Sequence, residues 1–336
     1  MAVRVGFLGA GFIATFHSKL LRASGVDHER AGVFDPDRSR AEAFVAAAGG
    51  SVADSVEEVL DACDAVFVCT WTADHEEHVR AAVDAGVAVF VEKPLSTDLD
   101  GARRVAALLD GTIHQVGLVL HRSPAYNLAR SLLEDEGRNG RLMSAMFRDD
   151  QVLPTGGRYA SDWRADREKA GSGVLLEHSI HDLDLVDRLI GPVTSVSGRQ
   201  RSFHDIDGIE DLVVAGFELA GGGLATLTTV WHDLPDRNSL RYLEIHCERA
   251  FLSIEEDWFG PVRYTVEGST QEWAGDALLA ECERRGIPTA LPEGEFVQAV
   301  AAGTPAWPDA AVALRAHELC DAIYRSAAAG GTPIDV

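Results

Sequence analysis

At 336 residues, 46% of them hydrophobic and 25% charged, the chain has a globular composition and enough length for two cores. Its formal net charge of −23 leaves no basic excess to neutralise phosphates, which argues against nucleic acid or an anionic membrane surface as partner. No apolar run approaches the roughly 18–20 residues of a membrane span, and the N-terminus enters a strand-like run at once, so no signal peptide is expected.

The run Val3-Arg4-Val5-Gly6-Phe7-Leu8 predicts a buried strand, and Gly9-Ala10-Gly11-Phe12-Ile13-Ala14 carries the chain into a helix over 12–24. This is the strand–turn–helix setting of the dinucleotide fingerprint G-x-G-x-x-G/A. Gly9 permits the tight turn, Gly11 lets the backbone approach a pyrophosphate, and Ala14 lets the helix pack closely on the strand. The helix N-terminus faces the phosphate charge. Residues 30–35 read as a second strand ending at Asp35, 24 positions after Gly11, close to where a carboxylate takes the adenosine ribose hydroxyls. Asp35-Pro36-Asp37 also reads as a plain turn. A carboxylate here repels a 2′-phosphate, so NAD is expected over NADP, although Arg38 and Arg40 follow closely enough to cradle that phosphate.

A helix over 39–48, a short strand at 51–52 and a helix near 56–60 lead to a continuous apolar strand over 65–70. It ends at Trp71-Thr72-Ala73-Asp74-His75. A helix over 76–85 and a strand over 87–91 follow, the latter ending at Glu92-Lys93-Pro94. A helix over 99–109 and a strand over 114–119 complete a series of β-α units. The fold class is therefore α/β, with a doubly wound parallel Rossmann sheet in residues 1–121 and its ligand across the carboxyl ends of the strands. Beyond residue 121 the pattern changes. A helix over 124–134 and an alternating strand over 143–149 precede a Gly-rich loop and a helix around 176–189. Strand-like runs follow near 193–200, 212–218, 223–231, 241–247, 250–254 and 262–266, and Ala-rich helices near 293–302 and 310–329 close the chain. Consecutive strands imply a second, α+β domain over 122–336 with a large, mostly antiparallel open sheet.

Two stretches carry polar groups that a core does not explain. Lys93 ends a parallel strand, where such sheets bind ligands, and Pro94 keeps it out of helical geometry. It reads either as a surface lysine or as an ammonium that stabilises negative charge developing on a substrate oxygen. The other stretch is Gly171-Ser172-Gly173…Glu177…His181…Asp184. A helix from about Leu175 places Glu177, His181 and Asp184 on one face, a carboxylate one turn before a histidine, as a general base requires. A salt-bridged surface helix is the alternative. The glycines upstream point to a close backbone approach. Metal is not expected: His75/His78 and His178/His181 are spaced i, i+3, not i, i+4, and no cysteine is near. No G-x-S-x-G elbow and no P-loop ending are present. The five cysteines are scattered without a C-x-x-C pair, which fits free thiols and a cytoplasmic protein.

Together these segments resemble the Gfo/Idh/MocA oxidoreductases, the glucose–fructose oxidoreductase and inositol dehydrogenase family. The likeness rests on Gly9–Ala14, Cys69-Thr70…His75, Val91-Glu92-Lys93-Pro94-Leu95, Gln115-Val116-Gly117, the Gly171…Asp184 block and the closing helices. It implies an NAD(P)-dependent oxidoreductase acting on a secondary hydroxyl or ketone of a sugar, glycoside or cyclitol. Lys93 would be the catalytic lysine, His181 the acid/base and Glu177 its companion. It implies cofactor contacts from Gly9, Gly11, Phe12, Ile13, Asp35, Arg40, Thr70, Trp71, His75, Glu92 and Lys93. Arg122, Asp150, Gln151, Trp163 and Arg164 would join Lys93, Glu177 and His181 around substrate, with homodimer or homotetramer contacts through the C-terminal sheet. Departures stand at Glu177 for aspartate, Trp71 for proline, and Ser172 and Ser179 for glycines. An inactive NAD(P)-binding sugar or redox sensor, or an enzyme recycling tightly bound NAD, are the alternatives.

Overall fold

The computed structural model describes residues 2–155, 161–234 and 236–336. Two compact units emerge: Met1–Leu118 with Glu168–Gly171 and Ala290–Leu314, and Val119–Arg167 with Ser172–Thr289 and Arg315–Val336.

In the first unit six strands, β1 (Val3–Leu8), β2 (His28–Phe34), β3 (Ser51–Val52), β4 (Ala65–Val68), β5 (Ala88–Val91) and β6 (His114–Val116), form a parallel sheet in the order β3-β2-β1-β4-β5-β6. Helices α1 (Phe12–Ala23), α2 (Arg38–Ala48), α3 (Val56–Ala62), α4 (His75–Asp84) and α5 (Leu99–Leu109) supply the crossovers. The order reverses between β1 and β4, so the loops after these strands open the crevice in which doubly wound sheets bind ligands. The continuous apolar runs are explained by burial on both faces. In register, Phe7, Phe67 and Phe90 stack across β1, β4 and β5 at centroid distances of 5.0 and 4.6 Å. Val66, Val68, Val89 and Val91 face the opposite core. Each of these side chains contributes about 1.5–3 kcal/mol by leaving water.

The second unit holds α6 (Pro124–Leu133), α7 (Glu136–Asn139) and the long strand β7 (Leu142–Val152). The Gly-rich loop expected after this strand lies in part outside the described residues. Helix α8 (Arg167–Ala170), of which residues 168–170 belong to the first unit, precedes α9 (Val174–Glu177) and α10 (Ile180–Ile190). Seven strands follow: β8 (Val193–Arg201), β9 (Leu212–Leu219), β10 (Leu224–His232), β11 (Leu240–Cys247), β12 (Ala250–Ile254), β13 (Val262–Val266) and β14 (Ser269–Trp273). With β7 and β15 (Ile334–Asp335) they make a nine-stranded sheet in the order β14-β13-β12-β11-β7-β10-β9-β8-β15, parallel at β7/β10 and antiparallel elsewhere. Alternation sends Phe147, Leu227, Leu243 and Ile245 into the core, while Met146 (40% exposed) and Leu224 (58%) stay on the open face.

Strand β14 and helix α11 (Gly275–Arg284) are not foreshadowed by local pattern: β14 is polar and exposed up to Trp273 and pairs as an edge hairpin. Helix α12 (Pro292–Ala302) belongs to the first unit although it follows the second in sequence. Phe296 explains this, packing edge-on against Phe67 and Phe90 at 5.5 and 5.7 Å. Helix α13 (Ala310–Ala328) closes the chain before β15.

Candidate active site

The glycine turn meets its demands in different ways. Gly9 has φ +87°, and a Cβ there would lie 2.6 Å from the Cys69 carbonyl oxygen, so only glycine lets β1 turn beside the end of β4. At Gly11 nothing lies within 4 Å of the Cβ position. The chain itself does not require glycine there, and the open cradle suits a diphosphate. Gly11 caps α1 without a side-chain acceptor, and the positive end of the helix favours an anion there. Phe12 is exposed beside this cradle and Ile13 packs on the core below it. Asp35 accepts from the Ala10 N–H (2.8 Å) and the Asp37 N–H (2.9 Å), which fixes its carboxylate against the glycine turn. Both following arginines are engaged: Arg38 with Asp54 (2.6 Å) and Glu42 (3.3 Å), Arg40 with Asp37 (3.5 Å). A 2′-phosphate would find its cations already paired. Thr70 ends the β4 segment, and Trp71, 38% exposed, carries the Lys169 ammonium 4.3 Å from its ring centre.

At the end of β5 the two charged residues differ in burial. Lys93 is half-buried, while Glu92 turns into the core. There Glu92 Oε1 meets His17 Nε2 at 2.6 Å, and His17 Nδ1 meets Glu293 Oε1 at 2.7 Å. His17 is 1% exposed and Glu293 wholly buried. Burial alone would lower the His17 imidazole, but its hydrogen bonds to Glu293 and Glu92 raise it to about 9. Burial alone would raise Glu92, but its hydrogen bond to His17, with the charges of His17 and Lys93, holds its carboxyl below the usual range. Gly117 faces this group closely: a Cβ there would lie 2.4 Å from Glu92 Oε1. His75, at the start of α4, bonds the Pro94 carbonyl through Nδ1 (2.9 Å), and burial pushes its imidazole down to about 4. The sequence offered one clue to this cluster, a lone histidine on the inward face of α1. Glu293, 200 residues beyond Lys93, offered none.

In the second unit the expectation of one helix carrying Glu177, His181 and Asp184 on a single face is corrected. The helix breaks at His178–Ser179, so Glu177 ends α9 while His181 and Asp184 lie on α10. Buried partners explain the break: His178 Nε2 meets Asp149 at 3.0 Å, and Ser179 Oγ donates to Asp149 (3.1 Å) and pairs with the Thr229 hydroxyl (2.6 Å). Glu177 accepts from Arg164 (3.1 Å), and the Arg164 guanidinium lies 4.4 Å from the Trp163 ring centre, so these three predicted residues do meet. His181 is half-buried on α10, one turn from Asp184, whose carboxylate accepts from His121 at 2.5 Å. Arg122 follows His121 in the 3-10 turn over 119–122. Asp150 is buried and its carboxylate is held by Arg148, Arg237 and the Leu240 N–H. Gln151 accepts from the Trp231 indole at 3.0 Å.

The two glycines before α9 do mark close approach, but to the chain itself. A Cβ on Gly171 would sit 2.4 Å from the Thr97 carbonyl oxygen, and one on Gly173 would sit 1.8 Å from that of Glu210. Glu210 accepts from the N–H groups of Gly173 (2.7 Å) and Leu175 (3.0 Å) and from Tyr324 (2.8 Å), fixing the entry to α9. Under α10, Arg241 bridges Asp182 (2.7 Å), Asp149 (2.8 Å) and Asp257 (2.7 Å), tying the helix to β7 and β11. Burial and the neighbouring Asp149 push the Asp182 carboxyl well up.

Residues 3–118 match the model of the oxidoreductase family with an NAD-binding Rossmann fold, and residues 126–253 match the GFO/IDH/MocA C-terminal domain. An inositol 2-dehydrogenase of Cereibacter sphaeroides is 45% identical over 107 residues, 31% of this chain and 32% of that protein. The 1,5-anhydro-D-fructose reductase of Ensifer adhaerens is 31% identical over 230 residues, 66% of this chain and 67% of that protein. The chain thus spans about a third of the first of these relatives and two thirds of the second. Among solved structures, an oxidoreductase domain protein from Kribbella flavida superposes with a TM-score of 0.85 at 22% identity, over 100% of this chain and 99% of that one. A levoglucosan dehydrogenase in complex with NADH and L-sorbose gives 0.85 at 20%, over 99% and 98%. The open glycine turn, the Asp35 carboxylate held against it, the parallel sheet with its switch point and these matches agree: the chain belongs to the Gfo/Idh/MocA family of oxidoreductases, with an NAD-binding Rossmann domain.

Proposed function

We propose that the protein is an NAD-dependent dehydrogenase that oxidises a secondary hydroxyl of a sugar, glycoside or cyclitol, or reduces the matching ketone. The observation that carries this reading is Lys93, set at the carboxyl end of β5 beside an ionised, buried glutamate in an NAD-binding sheet. Relatives named as inositol 2-dehydrogenases and an anhydrofructose reductase support the substrate class. When bound, NAD supplies the hydride acceptor. Gly9, Gly11 and the start of α1 would hold its diphosphate, Asp35 its ribose hydroxyls, and Thr70, Trp71 and His75 would flank its other half. Lys93 Nζ donates to the reacting oxygen and stabilises the negative charge that builds on it. His181 takes the hydroxyl proton at an imidazole nitrogen and returns it in the reverse direction. Glu177 holds Arg164 over Trp163, a polar-faced aromatic surface suited to a sugar ring, rather than orienting His181 by helical spacing. The five cysteines are free, which fits a reducing compartment such as the cytoplasm. The open sheet face, where Met146 and Leu224 stand exposed among polar neighbours, is where a homo-oligomer would form.

The test is NAD⁺ and NADP⁺ reduction followed by absorbance over a panel of inositols, hexoses and anhydrosugars, with Lys93→Ala in parallel. A substrate whose turnover falls by about 10²–10³ in the variant, with NADH binding retained, supports the reading. NADH binding without turnover of any polyol or ketone in either direction refutes it and favours a sensor or an enzyme that recycles bound NAD.

A further inference from the structure

We propose that His17 and Glu293 are positioning residues for Lys93: they clamp the Glu92 carboxylate, which fixes the strand end from which the lysine departs and supplies the charge that keeps it an ammonium. The inference rests on the role given to Lys93 above.

The hydrogen bonds carry the first step. Both His17 ring nitrogens lie within 2.7 Å of carboxylate oxygens, and ionised carboxylates only accept. A neutral imidazole has one N–H, so two such bonds call for the imidazolium. Counting charge gives the second step. One buried cation between two buried carboxylates leaves a net charge of −1 in a pocket walled by Phe67 and Phe90, whose rings lie 5.9 and 5.0 Å from the imidazole. The other titratable groups packed against the cluster are held neutral by burial: the Cys69 thiol is pushed well up, and His75 is pushed down to about 4. Lys93, next in sequence to Glu92, is the cation that balances the count. Packing alone would be served at lower cost by three apolar side chains.

The third step is delivery. Glu293 arrives on the first turn of α12, and Gln115 donates to the preceding Pro292 carbonyl at 3.2 Å. The clamp is therefore completed by a segment that follows the second unit in sequence.

The chain contains only three lysines, Lys19, Lys93 and Lys169, so the test can be made on Lys93 directly. The chain is reductively methylated with ¹³C-formaldehyde, the dimethyl-lysine signals are assigned with Lys93→Arg, and each is titrated by NMR. Glu293→Gln keeps the shape and a carbonyl acceptor for His17, removes the charge and exchanges the other oxygen for an amide NH2. The expected result is a fall of about 0.5–1 pH unit in the Lys93 midpoint, the scale of one buried charge lost, with Lys19 and Lys169 unmoved. An unchanged Lys93 midpoint overturns the proposal, whatever happens to stability. A second measurement needs no variant fold: ¹⁵N-histidine NMR of the unmodified protein near neutral pH, in which His17 must carry both ring protons, and a neutral His17 overturns the proposal too. Neither readout uses a substrate, so both stand apart from the polyol panel that decides the dehydrogenase reading.

Discussion

The His17 cluster ties stability to pH with a definite sign. The imidazole is raised in the folded state from its ordinary value near 6.5 to about 9. A raised histidine contributes stability that is fully present below the unfolded value and lost as pH rises through the folded one. Each tenfold gain in proton affinity corresponds to about 1.4 kcal/mol, so the interval is worth roughly 3 kcal/mol. Spread over a cooperative unit of this size, that is roughly 6–12 °C in Tm. His17 lies in the interior, so salt should screen little of it. The assay is calorimetry of the full chain from about pH 6 to about pH 9. Cys63, pushed up to about 11 by burial, adds a loss of the same sign only above about pH 8.5, so the decisive window ends there. His75, held down at about 4, adds stability as pH rises toward its ordinary value of 6.5, the opposite sign to His17, so the decisive window opens above that value. Glu293→Gln leaves His17 with one carboxylate and should remove at least half of the slope. Wild type and variant losing stability in parallel across this window would show that His17 is not the titrating group, and the charge assignment would fall with it.

Three further outcomes are expected. Arg241→Ala strands Asp149, Asp182 and Asp257 around a vanished cation and should cost about 3–5 kcal/mol in denaturant unfolding, whereas an effect below about 1 kcal/mol would mean that water reaches the network. Gly173→Ala drives a Cβ into the Glu210 carbonyl and should abolish soluble expression or lower Tm by several degrees; a variant with native stability would refute the packing given for the entry to α9. Asp35→Ser should weaken NADH binding about tenfold by fluorescence titration and narrow the preference over NADPH. Unchanged affinities would assign Asp35 to the glycine turn alone, through its bond to the Ala10 N–H.

Local pattern determined a good deal of this protein. The β-branched and apolar runs, the glycine turn after β1 and the repeated β-α units fix a doubly wound sheet, because a strand buried on both faces must read as continuous hydrophobicity and its crossover as a helix. The positions proposed for the cofactor end were legible for the same reason: Gly9, Gly11, Asp35 and Lys93 stand at strand ends and turns, where backbone geometry restricts residue type. What local pattern could not reveal was set by acceptors distant in sequence. The spacing of Glu177, His181 and Asp184 suggested one continuous face, yet Asp149 on β7 draws His178 and Ser179 inward and breaks the helix between them. Glycines 171 and 173 announced a close approach but not to what; Thr97 and Glu210 decide that. Nor could spacing place α12 with the first unit, because Phe296 and Glu293 act through an aromatic stack and a histidine near the other end of the chain. Periodicity reports which face of an element is buried, and only the tertiary structure says which charge waits on the other side of that face.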